Sequence, residues 1–258
     1  MCYTLKDLTQ WSVISGPLNF GKSTLLLEAV NILKEEKRDP SIIHLDLRSR
    51  TFRDVDTFAS TMVDELSSWF TDLLKSFKKI GVKMGVSDVE VELMLAKGGQ
   101  DPTKKLQELF DILSRALPNW SWLRGYDIPP PILIIDEANR LHVLLDDTRG
   151  NTVLNDFFAW IVLNTKQKHQ FHVVTASSDS FYHRWLARYV DGACFQNFVI
   201  GHLSKEEAKK FWEQEVVGDR VVRDQVRNAS PLTLEDAYKV CGGCMHLMAE
   251  TYKIFNAV

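Results

Sequence analysis

Ser12-Val13-Ile14-Ser15-Gly16-Pro17-Leu18-Asn19-Phe20-Gly21-Lys22-Ser23-Thr24 decides the fold. A short β-branched run breaks at Gly16-Pro17 and passes through Gly21-Lys22-Ser23 into the segment Thr24 to Lys34, where Leu26, Leu27, Val30 and Leu33 recur at helical spacing. The order is therefore strand, glycine-rich turn, helix. Residues 16–23 fit G-x-x-x-x-G-K-[ST] at every position, in the context that the pattern requires. The glycines let the main chain wrap closely round an anion, and the amides of the loop and of the helix N-terminus then point at negative charge. Lys22 is placed to reach the β- and γ-phosphates of a nucleoside triphosphate, and Ser23 to ligate Mg²⁺. Gly16, Pro17, Leu18, Asn19, Phe20, Gly21, Lys22, Ser23 and Thr24 form the candidate nucleotide-binding set.

Outward from this stretch, strand and helix patterns alternate. Ile42 to Leu47 reads as a second strand, and Phe58, Met62, Leu66 and Phe70 mark a helix. Residues 71–128 are less regular. They hold the basic residues Lys75, Lys78, Lys79 and Lys83, a polar stretch at 97–102, a helix over Leu106 to Leu117, and Trp120 and Trp122. Pro129-Pro130-Pro131 then forces an extended approach to Ile132-Leu133-Ile134-Ile135, a continuous apolar run of the kind a strand buried on both faces needs. A helix from Val153 to Lys166, a strand from Phe171 to Thr175, a helix from Phe181 to Tyr189 and a strand at Phe198-Val199-Ile200 follow. Parallel pairing requires crossovers that helices usually fill, so the class is α/β with five parallel strands sandwiched by helices. After Gly201 only helical patterns remain. Ser204 and Thr233 open them with capping-box spacing, and the last helix runs from Met245 to Phe255. The expected division is a core at 1–201 and a small helical lid at 202–258.

The run Ile132 to Ile135 ends in Asp136-Glu137. At the C-terminal edge of a parallel sheet, where α/β ligands bind, Asp136 can hold the metal's water shell opposite Ser23. Glu137, turned toward the γ-phosphate, can orient and polarise an attacking water, which hydrolysis requires and transfer to a bulky acceptor does not. Asp46 and Arg48 close the second strand on the same edge, as site residues or as solvated loop residues. Thr175 to Asp179 supplies hydroxyls after the fourth strand. Ser177 is the first choice for contact with the γ-phosphate and Thr175 the second, against a plain capping role for the helix that follows.

The ordered set of Gly16–Ser23, Ile132–Glu137, the strand end at Ser177 and the fifth strand leading into Gly201-His202-Leu203-Ser204-Lys205-Glu206-Glu207-Ala208 resembles the archaeal-type P-loop ATPases, within the AAA+ and STAND group. The resemblance covers nearly the whole chain. Val240-Cys241-Gly242-Gly243-Cys244-Met245 looks like the family's Gly-Gly lid motif, and Ser177 to Tyr189 also resembles the ATPase modules of crinkler-type effectors. It implies a sheet order of 5-1-4-3-2, ATP and Mg²⁺ as ligands, and ATP-driven conformational switching. Three departures stand out. Relatives carry a helix before the first strand that helps to hold the adenine, and about ten residues precede it here. Met245 stands where the lid motif has a proline. No winged helix or repeat array follows residue 258 of the sequence, so the expectation is either a fragment of a longer protein or a stand-alone motor module without a full STAND switch.

Composition agrees with a folded domain of ordinary type. The 258 residues are 45% hydrophobic and 25% charged, which excludes fibrous and disordered classes, and the net charge of −3 gives no global pull toward nucleic acid or acidic membrane. The N-terminus lacks the flank and apolar stretch of a secretion signal, and the longest apolar run, Phe157 to Leu163, is far short of a membrane span. An intracellular, cytoplasmic protein is expected, with the nucleus and a secreted-effector origin left open. Cysteines at 2, 194, 241 and 244 do not make a disulfide framework.

Some features invite over-reading. Cys241-Gly242-Gly243-Cys244 with His246 nearby fits C-x-x-C, but a helix break is preferred over zinc or redox chemistry. Arg184 and Arg188 lie where AAA+ relatives place an arginine that reaches a neighbour's nucleotide, so activity through a homo-oligomer is weighed against two solvated side chains. Trp69, Phe70, Trp120 and Trp122 are read as core or partner-covering residues rather than base-stacking ones. The preferred function is Mg²⁺-dependent ATP hydrolysis by Lys22, Ser23, Asp136, Glu137 and Ser177. The alternatives are a slow nucleotide-dependent switch that recruits a protein or DNA partner, and, with Arg220, Arg223 and Arg227 in the lid, a P-loop kinase.

Overall fold

The computed structural model describes residues 10–35, 41–48, 53–79, 81, 101–119, 128–216 and 232–256. Five parallel strands form one sheet: β1 (Trp11–Ser15), β2 (Ile42–Asp46), β3 (Ile132–Asp136), β4 (His172–Ser177) and β5 (Gln196–Val199), in the order β2-β3-β4-β1-β5. From the β5 edge this is 5-1-4-3-2, the order implied by the resemblance. The register places Asp46 beside Asp136 and Ser15 beside Ser177, so the strand ends carrying the polar residues share one edge.

The two faces of the sheet are covered differently. Leu133, Ile135, Val13, Val173, Ile43 and Leu45 face a large core built with α2 (Val55–Lys79), α3 (Pro102–Ala116) and α4 (Gly150–Val162). In α2, Val55, Phe58, Met62, Leu66, Phe70, Leu73 and Phe77 are buried at helical spacing, and Asp54 accepts the Thr57 amide at its start. Asp101 caps α3 ahead of Pro102, so part of the polar stretch is a helix start. Phe110 stacks on Trp160 at 4.5 Å, and Phe157 and Phe158 continue the cluster to Trp11. Phe70 is fully buried with Trp69 packed against the core, whereas Trp120 and Trp122 lie outside the described residues.

On the opposite face Ile14, Ile42, Ile132, Ile134, Val174 and Ala176 meet Leu26 and Val30 of α1 (Lys22–Glu35). The stripe on α1 is Leu26, Val30 and Leu33. Leu27, one position off that stripe, is 52% exposed instead of packed as its spacing suggested. A 3-10 stretch over Ala138–Asp146 separates β3 from α4, and α4 gives way to a π turn at Leu163, earlier than the helix end expected near Lys166. The helix expected over Phe181 to Tyr189 is the short α5 (Tyr182–Leu186).

Beyond Gly201, α6 (Lys205–Phe211) starts with a complete capping box between Ser204 and Glu207, α7 (Leu234–Cys241) is capped by Thr233, and α8 (Met245–Asn256) follows. Ala208, Trp212, Val216, Ala237, Cys241 and Met248 form their own apolar cluster, with Trp212 edge-on to Tyr252. Among the described residues no helix is long and apolar enough to cross a membrane.

Candidate functional site

The loop between β1 and α1 closes on itself round a positive interior. Asn19 (φ 63°) and Gly21 (φ 80°) both adopt left-handed backbone, the second of them the conformation for which glycine carries no steric cost. Successive main-chain amides in such turns line a concavity suited to anions. The first turn of α1 contains no acidic residue, so no carboxylate competes there for the positive end of the helix.

Lys22 is 5% exposed, and its amine donates to the Gly16 and Pro17 carbonyls at 2.8 Å each. Burial lowers its pKa, Glu137 and Asp136 oppose that shift, and Arg48 adds to it. Ser23 Oγ donates to Asp136 Oδ2 at 2.6 Å, although the two residues are 113 positions apart. Asp136 Oδ1 accepts the Glu137 amide at 2.9 Å. A cavity of about 300 Å³ is lined by the loop from Leu18 to Thr24 together with Arg48 and Glu137. The fold thus brings Leu18, Asn19, Phe20, Gly21, Lys22, Ser23, Thr24 and Glu137 to one space, with Gly16 and Pro17 behind it and Asp136 on Ser23.

Ser177 is the expected residue that the structure puts elsewhere. Its side chain is fully buried, and its hydroxyl faces Asn139 Oδ1 at 3.2 Å and accepts the Asp179 amide at 3.1 Å, so it caps the loop after β4 instead of opening on the cavity. Thr175, the second choice, is also buried and accepts from Trp11 Nε1 on the core side. The hydroxyl after β4 that touches a cavity-lining residue is that of Ser178, which donates to Glu137 Oε2 at 2.8 Å. Sequence reasoning included Ser178 in the hydroxyl-bearing run 175–179 without choosing it, and did not name Asn139. The signal for the first was the run of hydroxyls at 177 and 178, and no pattern singled out the second.

Asp46 and Arg48, left open by the sequence, are site residues by geometry. The Arg48 guanidinium meets Asp46 through Nε at 3.0 Å, and through Nη2 it meets Asp136 Oδ2 at 2.9 Å and Ser23 Oγ at 3.1 Å. Burial would raise the Asp46 pKa, but bonding to Arg48 outweighs it and holds the carboxyl below its ordinary value. Asp46 in turn raises the pKa of Arg48. A hydroxyl and a buried carboxylate that already share a cation are the donor set suited to Mg²⁺, which prefers hard oxygen ligands and keeps several waters.

The remaining candidates lie away from the cavity. Arg184 and Arg188 are exposed, Arg184 lying 5.2 Å over the Phe181 ring. Lys75 pairs with Asp72 on an exposed face of α2, and Lys83 lies outside the described residues, as do Arg220, Arg223 and Arg227. Gly242 (φ 56°) ends α7 in the helix break expected of the Gly-Gly pair. Cys241 and Cys244 are buried on that turn, Cys241 Sγ lying 3.1 Å from Thr251 Oγ1. Residues beyond Gly201 reach the loop directly. Phe20 meets His202 edge-on at 4.9 Å, and the Met245 methyl abuts Gly21.

Comparison with known proteins agrees with this geometry. Residues 5–250 match the family described as an ATPase domain predominantly from Archaea. Two uncharacterized ATP-binding proteins of Methanocaldococcus jannaschii are similar to it. MJECL15 is 30% identical over 78% of this chain and 57% of its own length, and MJ0075 is 24% identical over 82% of this chain and 60% of its own. The chain therefore spans somewhat more than half the length of these relatives. Among solved structures, the Walker-type ATPase of Pyrococcus abyssi shares the fold with a TM-score of 0.52 at 15% identity, covering 95% of this chain and 62% of its own. The cradle of residues 16–23, the Ser23–Asp136 pair and the sheet order thus have one origin: the chain belongs to the archaeal-type family of ATP-binding P-loop ATPases.

Proposed function

We propose that the protein is a Mg²⁺-dependent ATP hydrolase of AAA+/STAND type, and that residues 202–258 act as a lid that closes over the nucleotide. The observation that carries the reading is the bond from Ser23 Oγ to Asp136 Oδ2 beside a lysine-floored cradle with Glu137 on its wall. Lys22 exchanges the Gly16 and Pro17 carbonyls for the β- and γ-phosphates. Ser23 and Asp136 hold the metal. A Mg²⁺ held there would supply neutralisation of the phosphate charge. Glu137 takes up the proton of the attacking water once its carboxylate leaves Ser178, and Ser178, in place of Ser177, is the hydroxyl that reports the γ-phosphate.

A second reading has its own support. Lys22 and Glu137 are both tied to protein partners, so each has to be released before the chemistry, which suits a slow nucleotide switch that turns over when a protein, DNA or second copy engages it. One experiment separates the two. Glu137→Gln retains bound ATP and releases phosphate at least about 100-fold more slowly than wild type, the range expected for loss of a general base. Lys22→Ala binds no magnesium nucleotide in a calorimetric titration. Wild type that binds Mg-ATP but releases no phosphate at any protein concentration establishes the switch. A flat wild-type titration, indistinguishable from Lys22→Ala, overturns both readings.

A further inference from the structure

Arg48 stands where Ser23 and Asp136 converge. Its Nη2 is 2.9 Å from Asp136 Oδ2, 3.1 Å from Ser23 Oγ and 3.2 Å from Asp46 Oδ2. Three oxygens share an amino group that has two hydrogens, so the guanidinium is held as a charge within an oxygen cage, not by three separate directed bonds. The other half of the group is anchored. Asp46 Oδ1 accepts both Nε at 3.0 Å and the Arg48 backbone amide at 2.9 Å, a turn that tethers the side chain to Asp46.

The burial of the partners shows what the arrangement achieves. The Asp136 side chain is 1% exposed and that of Arg48 48% exposed. A buried carboxylate is costly without a cation on it, and here a solvent-facing side chain reaches in to supply one. The Nη2 group and a hydrated metal held between Ser23 and Asp136 would compete for the same space and the same carboxylate, and the two cations would repel at short range.

We propose that Arg48 is a tethered stand-in for the metal. It occupies the cation position between Ser23 and Asp136 in the metal-free protein, and pivots away on Asp46 when the magnesium nucleotide enters. The displaced guanidinium then needs another anion within the reach of its side chain, and the end of a triphosphate offers one that a diphosphate lacks. Arg48 therefore weakens metal binding to the nucleotide-free protein and biases the site toward ATP over ADP. The inference deepens the proposed function and rests on Ser23 and Asp136 being the metal pair.

The test uses the full chain as wild type, Arg48→Ala, Arg48→Lys and the double variant Arg48→Ala/Asp136→Ala. Mn²⁺ binding without nucleotide is followed by the loss of its free-ion EPR signal, and fluorescent N-methylanthraniloyl ATP and ADP are titrated in Mg²⁺. Arg48→Ala binds Mn²⁺ about tenfold more tightly than wild type, equivalent to one modest charge interaction removed. The double variant loses that gain, and Arg48→Lys falls between wild type and Arg48→Ala. The ratio of ATP to ADP affinity drops at least about threefold in Arg48→Ala, on the same scale of interaction. Mn²⁺ affinities for wild type and Arg48→Ala that agree within error, a gain that survives Asp136→Ala, or an unchanged ATP to ADP ratio in proteins that do bind nucleotide each overturn the stand-in. If Arg48→Ala does not fold, Arg48→Lys decides by the same measurements. Failure of wild type to bind either nucleotide overturns the proposed function instead, and the Mn²⁺ comparison still reads Arg48 by itself.

Discussion

Glu137 holds a left-handed backbone (φ 54°), a conformation that costs a residue with a Cβ on the order of 1–2 kcal/mol. The surrounding contacts hold it there, its amide on Asp136 Oδ1 and its carboxylate on Ser178, so the strain is kept at the point where β3 meets the cavity. Glu137→Gly removes the strain together with the carboxylate. Glu137→Ala loses the carboxylate but keeps the Cβ, so Glu137→Gly is expected to be about 1 kcal/mol more stable than Glu137→Ala in equilibrium unfolding, with phosphate release lost in both. A Glu137→Gly protein no more stable than Glu137→Ala would show that the conformation is not strained. The cradle and the Asp136-Glu137 pair were legible in the sequence because their chemistry is contiguous, each motif lying within eight residues of chain. The choice between Ser177 and Ser178 was not. It depends on the residue at which β4 stops, and a shift of one residue turns a side chain from the interior to the carboxylate of Glu137. Arg48 was undecided for a related reason. Its partners Ser23 and Asp136 come from two other elements, and only the β2–β3 register that sets Asp46 beside Asp136 brings them together.

At the scale of elements, the strands were readable because a sheet covered on both faces needs unbroken apolar runs, and Ile132 to Ile135 is such a run. The 3-10 stretch at 138–146 was not readable, since its Leu141 and Leu144 pack on the core from a conformation that neither helical nor alternating spacing signals. β4 carries a pH dependence of its own. Burial depresses the pKa of His172 to about 4, and its Nδ1 accepts the Gln10 amide at 3.1 Å, a bond that only the unprotonated nitrogen makes. The unfolded chain binds a proton near the ordinary value of 6.5 and the folded chain does not, so the contribution is complete above pH 6.5 and is lost as pH falls from 6.5 toward 4. The loss across that window is at most on the order of 3 kcal/mol at about 1.4 kcal/mol per unit. Urea unfolding of wild type and His172→Gln at pH 7.5 and pH 5 checks it. The stability difference between the two proteins shifts toward the variant at pH 5, and a difference that stays constant with pH would remove His172 as the cause.

For the whole molecule, the proposed closure of residues 202–258 needs a physical route from the phosphate loop to the residues beyond 201. The sheet core and the apolar cluster of Ala208, Trp212, Ala237 and Met248 are packed separately, and the loop touches the second group of helices through Phe20 on His202 and Gly21 against Met245. His202 is itself tied to the Gly-Gly turn. Leu203 donates its amide to the Gly243 carbonyl at 2.9 Å, Tyr238 donates its hydroxyl to the Leu203 carbonyl, and a Cβ on Gly243 would collide with the Leu203 backbone. Under the proposed closure, movement of Phe20 when the loop takes up phosphates would reach the turn at the head of α8, beside the direct contact of Gly21 with Met245, through the aromatic contact of Phe20 with His202. Such a contact is worth about 0.5–1.5 kcal/mol, enough to shift a closing equilibrium roughly two- to tenfold and too little to decide folding. Mg-ATP is therefore expected to slow amide exchange in residues 232–256 of wild type. In His202→Ala that protection falls severalfold, while nucleotide affinity and melting temperature change little, because His202 lies outside the residues lining the cavity. Equal protection in the two proteins would show that closure, if it occurs, does not run through Phe20.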